Sequence, residues 1–161
     1  MALEDKRRAL AEVRQHLVVS LKQLRREVTS ARSGTRVDGD HRPANRGERG
    51  AVTSQGYLAG ALAGRVAMLE EALRQLDLLA PGRRERVAPG ALVAVEDDDG
   101  QVSRFLVAPG AAALRLTSLP DVVALSPSAP KVRALYGARV GDAEVIELGG
   151  RELTLEIVAI D

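Results

Sequence analysis

Apolar residues recur in residues 1–80 at the spacing of amphipathic helices, in two separate runs. In the first run a leucine stands at every seventh position, at Leu3, Leu10, Leu17 and Leu24. In the second run aliphatic residues alternate at steps of four and three, at Leu62, Val66, Leu69, Leu73 and Leu76. Both spacings place one apolar seam on a helix, as in two helices that pack along each other. The pattern therefore predicts two long helices, over about residues 2–31 and 52–79.

The segment between the two runs is rich in residues that interrupt helices. It contains Gly34, Gly39, Pro43, Gly47 and Gly50, and we expect a tip loop over about residues 33–50. A chain that turns there forms an antiparallel coiled-coil hairpin over residues 1–80. A run of small residues in the second helix predicts close approach of the first helix, and consists of Ala59, Gly60, Ala61, Ala63 and Gly64.

The pattern changes to a period of two after a short linker, residues 81–86. Residues 87–161 read as short strands with one short helix that starts at Pro130. Gly149-Gly150 is typical of a tight hairpin, and the returning strand places Leu153, Leu155, Ile157 and Ala159 on one side. Asp97-Asp98-Asp99-Gly100 is interpreted as a hairpin turn. The fold class is thus α+β, a helical hairpin followed by a small antiparallel β-domain.

The amino-acid composition of the chain excludes or disfavours several kinds of functional site. The chain of 161 residues has no cysteine, which excludes disulfides and thiolate metal sites, and three aromatic residues, which argues against base-stacking platforms. No apolar run reaches the roughly 18 residues of a membrane span, so we expect a cytoplasmic protein. Residues 1–80 carry 14 basic and 10 acidic residues, whereas residues 87–161 carry 6 and 11. The asymmetry indicates either two surfaces with different partners or chance variation.

Two carboxylates, Asp38 and Asp40, fall in the predicted tip loop. Carboxylates on a rigid arm can complete the shell of a hard cation such as Mg²⁺ that belongs to another macromolecule. Asp is also an ordinary turn residue, so both interpretations stay open from spacing alone.

Several segments of the chain resemble the motifs of one protein family. Pro130-Lys-Val-Arg-Ala-Leu-Tyr-Gly137, followed by Val140-Gly141-Asp142, resembles the signature SPxxRxLLGKxxGD of the Gre transcription elongation factors of bacteria. Residues 149–160 are similar to its closing hairpin. Gly64-Arg65-Val66 with Leu69-Glu70 resembles GRIxxIE on its second helix, and Gly39-Asp40 stands where its tip begins.

The resemblance implies a fold and a partner. It implies a C-terminal domain of FKBP-like fold that docks on bacterial RNA polymerase through the signature residues, which are Pro130, Arg133, Leu135, Tyr136 and Gly137. It implies that the helical hairpin enters the secondary channel, where Asp40, with Asp38, helps to hold a Mg²⁺ of the polymerase so that the 3′ end of backtracked RNA is cleaved. The factor is then a monomeric accessory protein with no stably bound cofactor, and not itself an enzyme.

Three alternatives remain. The family places a second acid three residues after the first, and here that position is Pro43, which favours a Gre-like homologue that inhibits or regulates polymerase through the same channel. A prolyl isomerase would need an aromatic pocket, and the β-domain has only Phe105 and Tyr136. A dimeric coiled coil unrelated to transcription would have to continue through the Gly- and Pro-rich segment.

Overall fold

The computed structural model describes residues 3–35 and 46–161. Two long helices, α1 (Leu3–Thr35) and α2 (Arg46–Leu78), precede a six-stranded sheet with one short helix, α3 (Pro130–Leu135). The strands are β1 (Leu92–Glu96), β2 (Val102–Val107), β3 (Leu114–Arg115), β4 (Val122–Leu125), β5 (Ala143–Leu148) and β6 (Arg151–Ile160). Within these residues, no helix has both the length and the apolar character that a membrane crossing requires.

Both long helices extend further into the glycine-rich segment than the sequence predicts. Helix α1 ends at Thr35 rather than near residue 31, and α2 begins at Arg46 rather than near residue 52. Gly47 and Gly50 lie inside α2, because a glycine costs a helix only about 1 kcal/mol relative to alanine and does not by itself end it. Of the predicted tip loop, residues 36–45 lie outside the described residues.

The chain divides into two compact units. One consists of residues 18–71, and the other combines residues 1–17 with residues 72–161. The predicted division into residues 1–80, 81–86 and 87–161 stays a prediction.

In the unit of residues 18–71 the two helices run antiparallel along an apolar seam. Leu24, Val28 and Ala31 of α1 form one buried cluster with Ala59 and Leu62 of α2, and Val66 and Leu69 pack against it. Arg25 donates to Glu70 at 2.7 Å across the exposed side of the seam. The predicted seams therefore face each other here.

The small residues of α2 do not have the predicted role as a group. Ala59 is buried in the seam, but a Cβ added to Gly60 or Gly64 would meet nothing within 4 Å. The prediction that the whole run allows close helix approach is wrong, because residues next to each other in a helix point about 100° apart and only one side faces α1.

The sheet is mixed, which corrects the prediction of an antiparallel domain. Its strand order is β3-β4-β2-β1-β6-β5, and β2 pairs with β4 in parallel, with Arg104 opposite Val122. Parallel neighbours need a long crossover connection, and residues 108–121, which include β3, supply it. The other pairings are antiparallel.

A β-bulge in β6 changes which residues face the core. Val95 pairs with Ile157 and Ala94 with Ala159, so Val158 is the extra residue. Beyond the bulge the alternation changes phase, and Ile160 rather than Ala159 packs against the core. The prediction for Leu155 and Ile157 is confirmed, since both are buried there, whereas the prediction for Ala159 is wrong.

The sheet buries residues on both faces. Its main core includes Val93, Val95, Phe105 and Val107, which face α3 with Val132 and Leu135. Leu92, Leu106, Val122 and Ala124 alternate with these residues and are buried on the opposite face. In the same unit the first part of α1 also buries its apolar residues, Ala9, Val13 and Leu17.

Candidate functional site

The segment that carries the family resemblance begins with helix α3. Pro130 occupies its first turn, where the missing N–H of proline costs nothing. Val132 and Leu135 are fully buried in the main core, so they fix α3 on the sheet. The residues between and after them, Arg133 and Tyr136, remain exposed.

The chain leaves α3 through a glycine turn that is tied to the end of the linker. Gly137 has φ +80°, a conformation that side chains other than glycine rarely adopt. Its N–H donates to the carbonyl of Val87 at 2.8 Å, and Val87 N–H donates to Ala138 at 2.9 Å. Arg86 Nη1 donates to the Gly137 carbonyl at 3.1 Å. The end of α3 is therefore held in place by residues 86–87.

The Gly-Asp step of the signature builds the next turn. The Asp142 carboxylate accepts from the Arg139 N–H at 2.7 Å, and Gly141, at φ +89°, donates to the Ile157 carbonyl at 2.8 Å. Ile157 N–H donates in return to Asp142 at 2.9 Å. These contacts attach the loop to β6, so the role of Asp142 is structural.

We call the exposed residues of α3 and these turns the α3 patch. Its apolar members, Tyr136 and Val140, are each 56% exposed. Its basic members are the exposed Arg133 and Arg139 of the same segment, and Arg86, which is bonded to Gly137. Aromatic and arginine side chains are the types enriched in protein–protein interfaces. The patch has the composition of a docking surface for a protein.

The predicted polymerase-binding residues are not equally available. Pro130, Arg133 and Tyr136 are exposed, and Gly137 is half-buried. Leu135 is fully buried, because its position on α3 points into the sheet. Leu135 therefore packs beneath the patch, and its side chain is not accessible to a partner in this conformation.

The predicted metal-holding acids, Asp38 and Asp40, lie outside the described residues, as does Pro43. Within residues 3–35 and 46–161 there is no group of three or more His, Cys, Asp or Glu that could hold a metal ion.

The acidic turn between β1 and β2 is explained by its own hydrogen bonds. Asp97 Oδ1 accepts from the N–H groups of Asp99, at 3.0 Å, and Gln101, at 2.8 Å. Asp98 Oδ2 accepts from Thr154 N–H at 2.8 Å. Gly100 closes the turn at φ +73°.

A carboxylate that the sequence did not single out attaches α1 to the segment between β3 and β4. Glu12 accepts from the N–H and hydroxyl of Thr117, at 2.6 and 2.9 Å, and from those of Ser118, at 2.9 and 2.6 Å. Burial alone would raise the pKa of Glu12, but these hydrogen bonds outweigh it and hold the pKa at about 2.

A buried lysine makes a second attachment in the same unit. Lys6 is 3% exposed, and its Nζ donates to the carbonyls of Gly82 at 2.6 Å and Asp161 at 2.7 Å. Burial lowers the pKa of Lys6, the charge of Arg84 lowers it further, and Asp161 opposes the shift. No sequence signal marks Lys6 as buried except its place, one helical turn before Ala9, on the buried side of α1.

Comparison with known proteins finds distant structural neighbours only. No family model and no curated protein matches the chain. One similar solved structure is GreA factor homolog 1 (Gfh1) of Thermus thermophilus, at 22% identity and a TM-score of 0.40, over 92% of this chain and 94% of that one. A second is Gfh1 of Thermus aquaticus, at 21% identity and a TM-score of 0.40, over 91% and 92%. At these identities and scores, function has to be argued from the chain's own residues.

Proposed function

We propose that this chain is an accessory factor of bacterial RNA polymerase that docks through the α3 patch. The proposal rests on how the signature segment divides into buried and exposed residues. Val132, Leu135 and Asp142 build the surface from inside, and Pro130, Arg133 and Tyr136 are left exposed on it. Tyr136 and Val140 add exposed apolar area that a partner could cover.

The helical hairpin is the part proposed to enter the secondary channel. A 33-residue helix extends about 50 Å at ~1.5 Å per residue. Support comes from the antiparallel seam and from the Arg25–Glu70 ion pair, which fix the two helices against each other along residues 18–71.

The proposed action is on the polymerase's own chemistry. Asp40, with Asp38, supplies carboxylates toward a Mg²⁺ of the polymerase active site, and the polymerase cleaves the 3′ end of backtracked RNA. The pair is proposed on sequence alone. The factor is proposed to be monomeric, to have an FKBP-like C-terminal domain, to keep no cofactor of its own and not to be an enzyme.

A second candidate is inhibition or regulation through the same channel without cleavage. It is favoured by Pro43, which occupies the position where the family's second tip acid is expected. The proline side chain offers no ligand for a cation, so Asp38 or Glu48 would have to take that place.

One experiment separates docking from cleavage. The protein is added to purified, backtracked bacterial elongation complexes, and both RNA length and co-migration with polymerase are measured. Arg133→Glu with Tyr136→Ala should reduce binding at least tenfold, whereas Arg151→Glu, on an exposed residue of β6, should not. Asp38→Asn with Asp40→Asn should abolish cleavage and leave binding unchanged.

The outcomes are distinct. Binding without cleavage in the unmodified protein supports the regulatory candidate. An absence of binding, or equal binding by the α3 patch variant, contradicts the proposed function.

A further inference from the structure

Strand β5 forms one edge of the sheet and leaves part of its backbone unpaired. It pairs with β6 along its whole length, Ala143–Leu148. In an antiparallel pair, half of the N–H and C=O groups of each strand point away from the partner strand. Among the other backbone hydrogen bonds of the described residues, none involves β5. The outer side of β5 is therefore an open row of donors and acceptors, about 20 Å long at ~3.3 Å per residue.

The two edges of the sheet differ in how far they are open to another strand. The opposite edge, β3, has only two residues, and a short edge strand is one way in which proteins avoid unwanted strand pairing. Strand β5 has six residues and no proline. Its pairing with β6 runs without a bulge, from Ala143 opposite Glu156 to Leu148 opposite Arg151. Strand β5 is thus the edge on which a further strand fits.

One face of the sheet beside this edge is acidic. Glu147 of β5 lies directly opposite Glu152 of β6, and Glu156 of β6 lies directly opposite Glu96 of β1. Side chains alternate between the two faces of a strand, so Glu152 and Glu156, four residues apart, point to the same face. All four glutamates are exposed, and we call them the acidic face.

The charge of the acidic face is not neutralised by the described residues. Each glutamate stands opposite an uncharged residue or another glutamate, and no ion pair among the described residues includes any of them. Like charges directly opposite each other destabilise a sheet. Protection of the edge against aggregation accounts for Glu147 but not for Glu152, Glu156 and Glu96, because β6 and β1 lie inside the sheet. A cationic partner would relieve this repulsion.

We propose that the edge of β5 binds an extended segment of another protein that carries lysine or arginine, and that this segment extends the six-stranded sheet. Hydrogen bonds to the β5 backbone provide affinity, and alternate side chains provide specificity. On the acidic face, basic side chains of the added strand lie beside Glu147. Val145 is on the same face and 62% exposed, so it can contact the apolar part of a lysine or arginine side chain.

A second copy of this chain fits the same edge less well. Each copy of β5 carries Glu144 and Glu147, so pairing of β5 with β5 would place four glutamates on one ladder. Residues 87–161 carry 6 basic and 11 acidic residues, which also favours a partner of opposite charge. Strands β5 and β6 contribute no residue to the α3 patch, so the proposal does not depend on binding to polymerase.

The test uses the full chain and a synthetic peptide of about eight residues that alternates lysine with valine. Fluorescence anisotropy measures binding, and NMR measures amide hydrogen exchange within β5. The peptide should bind, and the outward N–H groups of β5 should exchange at least about tenfold more slowly at saturation, because new hydrogen bonds protect them. An absence of binding, or binding without protection of β5, overturns the proposal.

A second peptide separates strand addition from attraction between charges. It has the same residues but carries N-methyl groups on its four central backbone amides, so it keeps the charge and loses those donors. It should bind more weakly and leave exchange within β5 unchanged. If it binds as tightly as the first peptide, charge alone is responsible and the proposal is wrong.

A matched pair of variants locates the charge that matters. Glu147→Gln with Glu152→Gln removes two charges from the acidic face and should weaken binding of the first peptide roughly fivefold. Glu27→Gln with Glu85→Gln removes two charges at other exposed positions and should have a smaller effect. Circular dichroism verifies that both variants fold, and equal losses contradict the proposed location. A dimeric mass by light scattering, with β5 already protected in the free protein, would mean that a second copy occupies the edge instead.

Discussion

Gly110 shows how a single missing side chain determines packing. Its φ is +74°, and a Cβ at this position would lie 2.7 Å from Ala72 Cβ and 2.9 Å from Leu17 Cδ1. Carbon atoms that are not bonded to each other do not lie this close. Leu17 and Ala72 could therefore not keep their positions if any other residue replaced Gly110. Gly137 has a similar φ of +80° but nothing within 4 Å of the added Cβ.

The two glycines form a matched pair of test positions. Gly137→Ala should lower the free energy of unfolding by about 1 kcal/mol, the cost of the left-handed backbone alone. Gly110→Ala should lower it by about 2–4 kcal/mol, because overpacking adds to the same strain. Urea unfolding of both variants measures the difference. Equal losses would mean that the neighbours of Gly110 move aside without cost.

Glu12 makes the stability of the protein depend on pH in acid. Its pKa falls from an ordinary 4.5 to about 2 in the folded state. A carboxyl whose pKa is depressed by folding stabilises the protein above its unfolded pKa, and that stabilisation is lost as the pH falls from about 4.5 to about 2. After allowance for solvent screening we expect about 1–2 kcal/mol from this residue.

Glu12→Gln tests the assignment, because glutamine does not titrate. Urea unfolding between pH 2 and pH 6 should show a smaller loss of stability in the variant than in the unmodified protein. Parallel pH profiles would mean that another carboxylate is responsible.

At the scale of elements, α2 contains glycines that its own contacts do not require. Gly60 and Gly64 lie inside the helix, on positions where an added Cβ is free. Replacing both with alanine should stabilise the protein by about 1–2 kcal/mol, because alanine loses less backbone entropy. Thermal unfolding measures the gain. As a contrast, Ala59→Gly, at the buried seam, should destabilise it.

The elements also show what the sequence could and could not predict. Leu24 and Leu62 lie on the buried seam as predicted, because helical spacing is a local property. The parallel pairing of β2 with β4 depends on which distant strands meet, and the spacing of apolar residues within each strand carries no such information. Val158 broke the predicted alternation because a bulge leaves no clear mark on a run of apolar residues.

The candidate site could be predicted only in part, because a local motif does not show how its segment packs on the rest of the protein. The signature identified the right segment, but Leu135 and Arg133 could be sorted into buried and exposed residues only after α3 was seen on the sheet. Glu12 and Lys6 were missed, since a charged residue on an amphipathic helix normally faces solvent.

At the scale of the whole molecule, the linker is not the only connection between α1 and the sheet. Lys6 and Glu12 attach the first part of α1 to Gly82, Asp161, Thr117 and Ser118. If a protease site is inserted between Arg83 and Arg84 and cut, the two pieces should stay together as a complex. Size-exclusion chromatography of the cut protein tests this, and the Lys6→Met, Glu12→Ala double variant should separate more readily. Separation of the unmodified pieces at micromolar concentration would contradict the prediction.

The attachment of Lys6 to Asp161 also bears on how the protein is made. The two residues are 155 positions apart, and Glu12 is 105 positions from Thr117. A ribosome releases Ala9, Val13 and Leu17 long before the strands that share their compact unit exist. During synthesis the apolar side of α1 therefore stays exposed until these strands have been made. Contacts of such high sequence separation also make folding slow. Helper proteins that bind nascent chains would find an exposed apolar target on this side of the helix.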